Sequence, residues 1–139
     1  MLKELLQTNI PSNVKEFGKL TKEKDPYYFG SWDSIDGDLV LRYWFWNRGH
    51  STKNRKRVLV NEIEDLLRHC TKNGTIRRSD FESKCLKTNG DGPCGFAMAG
   101  RILEVLDIVE YDPTLHEFRI TNMDKALKLV KQDTIESKM

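Results

Sequence analysis

The densest chemistry in this 139-residue chain is a basic run with no acid in it: Arg48, Lys53, Arg55, Lys56 and Arg57, with His50 among them. Cations at this density neutralise phosphates, and the interleaved Asn47, Ser51, Thr52 and Asn54 can donate to phosphate oxygens. A solvated loop is the competing reading of the same run. Just upstream, Tyr27, Tyr28, Trp32, Tyr43, Trp44 and Trp46 offer rings that could stack on unpaired bases. Packing against the first helices is the preferred reading of these rings, and an exposed Trp would instead mark a partner surface.

Other reactive types are sparser. Asp33, Asp36 and Asp38 suggest a cation site, but no distant Glu completes a calcium loop and no ExK follows as in metal-dependent nucleases. Cys70, Cys85 and Cys94 form no CxxC pair, and an odd count argues for reduced thiols, not a disulfide framework. With His69 and His116 they match no zinc spacing, so no metal is expected. Cys94, between Pro93 and Gly95 at a helix start, is the one thiol placed for reactivity. Gly90, Gly92 and Gly95 follow no strand and lack a GK[ST], which excludes a phosphate-binding loop of that type. No cofactor is implied.

The surrounding elements must position these groups. Hydrophobic residues make up 38% and charged residues 32%, a balance that supports one core and excludes a disordered tail. No apolar run spans a membrane, and the first ten residues lack the layout of a signal peptide, so a soluble cytoplasmic protein is expected. Residues 1–60 carry 11 basic and 7 acidic residues; the rest carry 12 and 14. Leu2, Leu5 and Leu6 predict a first helix, and Pro11-Ser12-Asn13 opens a second, ending about Lys22. The aromatic runs 26–32 and 39–46, separated by turn chemistry at 33–38, predict a β-hairpin, with 47–57 a loop.

From Asn61, Ile63, Leu66, Leu67 and Cys70 recur at helical spacing, and Asn73-Gly74 ends that helix. Helices follow at about 78–86 and 96–106, the latter striped by Ala99, Ile102, Leu103 and Leu106, with 87–95 a loop. Two short strands, 108–111 and 117–121, precede a C-terminal helix marked by Met123, Ala126, Leu127 and Val130.

Helix, helix, turn, helix, hairpin resembles the winged helix-turn-helix superfamily over residues 58–122, most of all in the run from Arg101 to Thr121. The long 87–95 turn departs from the usual tight one. The resemblance implies an α+β protein: an N-terminal helical and hairpin extension (1–57), a winged helix-turn-helix core (58–122), and a C-terminal helix and tail (123–139). It also implies a non-catalytic DNA-binding protein acting in transcription regulation on double-stranded DNA. The contacts expected are Arg48, Lys53, Arg55, Lys56 and Arg57 on the loop, and Arg77, Arg78 and Ser79 at a helix start. Arg101 on the third helix and His116 and Arg119 on the wing complete the set. A protein-interaction module built on the winged helix is the alternative, and a small nuclease or accessory factor using Asp33, Asp36 and Asp38 is a third. The C-terminal stripe favours a homodimer.

Overall fold

The computed structural model describes residues 1–21 and 25–131. Helix α1 (Leu2–Asn9) leads into a two-residue strand β1 (Glu16–Phe17), then β2 (Tyr27–Ile35), β3 (Asp38–Trp46) and β4 (Lys53–Leu59). These four strands pair antiparallel in sequence order, β1-β2-β3-β4. The β2–β3 connection is the two-residue loop Asp36-Gly37, with φ of 52° and 85°. Both residues are left-handed, the conformation that matches hairpin twist and that Asp-Gly favours. Between Phe29 and Ser31 the register shifts, leaving a bulge at Gly30.

Without a linker, β4 runs into α2 (Val60–Cys70), and β5 (Thr75–Ile76), α3 (Arg78–Lys84), α4 (Leu86–Gly90) and α5 (Cys94–Val105) follow. Strands β6 (Val109–Asp112) and β7 (Glu117–Ile120) pair with β5 in a second sheet of order β5-β7-β6, and α6 (Met123–Leu129) ends the described chain. Apolar periodicity accounts for α2, whose Val60, Ile63, Leu66, Leu67 and Cys70 are all buried. Left-handed Gly74 (φ 81°) closes the turn after it by donating to Cys70 O at 2.8 Å.

This architecture replaces the winged helix-turn-helix expectation. Among the described residues, two sheets interleave with six helices in a mixed α/β fold, in place of a three-helix bundle closed by one hairpin. The run 53–57, expected as a loop, begins a strand paired along its length with β3. The second N-terminal helix is absent from the described residues, where its segment holds the turn 10–13 and β1; Lys22, its expected end, lies outside them. The expected loop at 87–95 holds most of α4 and the first residues of α5. The expected recognition helix is core: in α5, Gly95, Phe96, Ala97, Met98, Ala99, Gly100, Ile102 and Leu103 are buried. A helix must offer an exposed donor-bearing face to enter a groove. This one has none to offer, and the double-stranded DNA and transcription-regulator readings built on it fall.

Residues from Leu2 to Val130 join one hydrophobic cluster. Two close approaches fix α5 within it. A Cβ on Gly100 would lie 2.0 Å from Phe118 Cζ, and one on Gly95 would lie 2.8 Å from Phe81 Cζ. The helix therefore seats on β7 and α3 only because both positions lack side chains.

A buried carboxylate joins the two sheets' supporting helices. Glu62, on α2, accepts from Lys87 N at 2.9 Å, Thr88 N at 2.8 Å and Thr88 Oγ1 at 2.7 Å. Thr88 Oγ1 in turn accepts from Leu59 N at 3.1 Å, at the end of β4.

The C-terminal stripe is covered by the chain itself. Ala126, Leu129 and Val130 are buried, and Arg68 Nε on α2 donates to Val130 O at 3.3 Å. Leu127, expected inside the stripe, is 49% exposed. The homodimer inferred from that stripe loses its basis, and so does a protein-interaction module built on a winged helix. Among the described residues, no helix is long and apolar enough to cross a membrane.

Gly100→Ala tests the close packing of α5. Its methyl group enters a fully buried ring, and overpacking of this kind costs about 3 kcal/mol. Urea denaturation of the variant is expected to show that loss; an unchanged midpoint would mean that Phe118 yields freely.

Candidate functional site

Strand alternation sorts the aromatic residues into two faces. On β3, Leu41 and Tyr43 are buried and Phe45 packs against the core, so Arg42, Trp44 and Trp46 project from the opposite face. Their β4 partners are Arg57, Arg55 and Lys53 in that order, and Tyr28 on β2 pairs with Trp44. Directly paired residues share a face. The outer face of the four-stranded sheet therefore carries three rings and four cations.

The rings form a continuous strip. Tyr28 stacks on Trp44 with centroids 4.5 Å apart and 24° between planes, and Trp44 meets Trp46 edge-on at 5.2 Å. The His50 imidazole lies parallel to Trp46, at 5.6 Å and 8°. Lys53 Nζ sits 4.3 Å from the Trp44 centroid, a cation–π contact. His50 reaches this place because Gly49 and His50 are both left-handed (φ 91° and 57°). Asn47 Oδ1 holds the turn by accepting from Ser51 N and Thr52 N, each at 3.1 Å. Asp25 pairs with His50 from the start of β2's approach. Beside this turn a cavity of about 470 Å³ opens between Lys19, Phe45, Trp46 and Arg48.

A second cavity, of about 340 Å³, lies at the Gly30 bulge and is lined by Ser31, Arg42, Trp44, Arg55, Lys56 and Asp91. Asp91, between α4 and α5, binds the β4 edge: Lys56 Nζ donates to its carbonyl at 2.6 Å, and Arg57 N to its carboxylate at 3.1 Å. Arg42 Nε donates to Asp33 at 2.8 Å. That bond, followed by one from Ser34 N, holds the Asp33 carboxyl below its ordinary range. Arg55 is exposed and has no acid or hydrogen-bond partner among the described residues.

The remaining expected contacts lie elsewhere, and those that carry a charge or an imidazole are engaged. Arg77 pairs with Glu117 at 3.2 Å, and Arg78 donates to Pro93 O at 3.0 Å over the Phe96 ring. Ser79 is exposed beside them on the seven-residue α3. Arg101 donates to Gly18 O at 2.9 Å and pairs with Glu104. Arg119 pairs with Asp112 at 2.8 Å, and His116 meets the Tyr111 hydroxyl across the β6–β7 turn. Arg48 is exposed on the turn beside Trp46. The structure thus gathers Arg48, Lys53, Arg55 and Arg57 with the aromatic strip, sets Lys56 opposite Tyr43 on the other face of β4, and leaves the other six apart. The alternation Arg42-Trp44-Trp46 was the sequence signal for the strip; the contribution of Asp91 had none.

The nuclease reading fails on its acids. Asp33 is bound to Arg42, Asp36 is a turn residue, and among the described residues no three His, Cys, Asp or Glu side chains gather to hold a metal. The three thiols are free. Burial, and after it Asp80, pushes the Cys70 thiol up to about 12, and burial likewise pushes Cys85 up. Cys94 is half-buried, with its sulfur 3.2 Å from the Tyr43 hydroxyl. Burial, reinforced by Cys94, raises the Tyr43 phenol well above its ordinary value.

Comparison with protein-family models, curated proteins and solved structures gave no match.

Thiolates, not thiols, attack alkylating reagents. At pH 8 the native protein is therefore expected to take up label at Cys94 alone, with Cys70 and Cys85 reacting only in denaturant. Peptide mapping after brief iodoacetamide treatment reads this, and rapid labelling of Cys70 would contradict the buried position of α2.

Proposed function

We propose that this protein binds single-stranded nucleic acid on the outer face of its four-stranded sheet, without catalysis. The carrying observation is the aromatic strip Tyr28-Trp44-Trp46 set directly beside Arg42, Lys53, Arg55 and Arg57. This surface, and the ligand it fits, differ from the duplex-reading helix that the fold excludes. Unpaired bases expose flat π-faces and a phosphodiester backbone, so a sheet face binds them with rings and cations side by side. The parallel His50–Trp46 pair supports the reading, because it already places a flat heterocycle on an indole. Lys53 covers Trp44 in the same manner; both covering side chains are exposed, and among the described residues His50 has only its Asp25 contact to give up. Arg55, which has no partner among the described residues, breaks no described bond by turning to a phosphate.

Fluorescence anisotropy with short oligonucleotides tests the proposal. Affinity is expected to fall with salt at a log–log slope of about −0.7 per phosphate contact. Trp44→Ala and Trp46→Ala should each weaken binding by about tenfold or more, the loss of one stacked base. Arg55→Ala should flatten the salt slope, and a duplex of the same sequence should bind less tightly. Absence of binding at low salt, or Trp variants that bind as wild type does, would overturn the proposal.

A further inference from the structure

The cavity at the Gly30 bulge has a chemistry of its own, and its reading rests on the proposal above. We infer that it seats a nucleoside phosphomonoester, the terminal phosphate of the strand that lies along the aromatic strip. Its volume of about 340 Å³ falls within the range of small-ligand sites, about 300–1,000 Å³. Arg42 and Arg55 line it, and Lys56 reaches its edge by donating to Asp91 O; Asp33 pairs with Arg42 and Arg57 with Asp91, so the charges of Arg55 and Lys56 stay uncompensated among the described residues. The Asp91 carboxylate is already held by Arg57 N and Nε. The seat thus keeps a positive surplus that a doubly charged terminal phosphate satisfies better than a singly charged internal diester.

Shape points the same way. The Asp91 segment stands as a wall, held to the β4 edge by Lys56 and Arg57. Trp44 links the cavity to the ring strip. A strand crossing Trp46 and Trp44 therefore runs into a closed end. Gly30 lets β2 approach the β3 backbone at the bulge: a Cβ there would lie 2.9 Å from Arg42 O. The bulge thus has a use in making a recess within an otherwise paired sheet.

A phosphomonoester reaches this seat either on a strand or on a free nucleotide, and the test separates the two. Anisotropy is measured for one oligonucleotide carrying a 5′-phosphate, a 3′-phosphate or neither, with adenosine monophosphate as competitor. One phosphorylated end is expected to tighten binding by about tenfold, the scale of a charge-assisted hydrogen bond. Arg55→Ala should abolish that difference, while Arg48→Ala, which removes a charge outside the cavity, should preserve it. Adenosine monophosphate at millimolar concentration should erase the difference if the free nucleotide also fits; if it leaves the difference intact, the seat requires the strand. Equal affinities for all three oligonucleotides, with Trp44→Ala still weakening them, would overturn the seat and leave the sheet-face reading standing. No binding by any of them would overturn both.

Discussion

The buried carboxylate of Glu62 is the constraint on which the arrangement turns. A charge withdrawn from water is tolerated only when donors replace the lost hydration. Here Lys87 N, Thr88 N and Thr88 Oγ1 do so, and Thr88 relays the linkage to the end of β4. One side chain therefore fixes the start of α2 against α4 and against the last paired residue of the first sheet. The segment after α4 carries Asp91, so the same clamp sets where the β4 edge is met and where the cavity is walled. Removing one partner would leave the rest buried and unsatisfied, a larger penalty than the net worth of any single bond.

A second constraint acts on α5. Phe118 lies where the side chain of residue 100 would be, and Phe81 where that of residue 95 would be. Gly100, in the helix interior, costs helix propensity, whereas Gly95 lies in the first turn. The return is a helix sunk between the two sheets, with Arg101 pinned to Gly18 O and Glu104. This helix organises the core and offers nothing to a groove.

Periodicity made α2, α3 and α5 legible, and Asp36-Gly37 marked the hairpin. What stayed hidden follows from how the signals arise. Lys53-Asn54-Arg55-Lys56-Arg57 lacks the apolar alternation of a half-buried strand, because β4 lies at the sheet edge and buries none of these five residues fully. Strand β1 is two residues long, too short for any pattern, and α4 hides in a glycine-rich run that reads as loop. With those three absent, the remaining order of elements fits a winged helix; with them present it does not. The site was half legible. The cations were plain in the sequence, but which rings faced them depended on strand register across a bulge that Gly30 alone hardly announces.

The edge position of β4 has one more consequence. An outer strand presents unpaired backbone groups to any neighbouring molecule, the usual route to sheet-to-sheet polymerisation. Asp91 and Thr88 cover the part near the helices, through Arg57 N and Leu59 N. The remainder carries Lys53 and Arg55, exposed, so a second copy approaching edge to edge would set like charge against like. The same side chains that the proposal sets against a phosphate backbone thus also place like charges along the one open edge, and a single row of residues answers both demands.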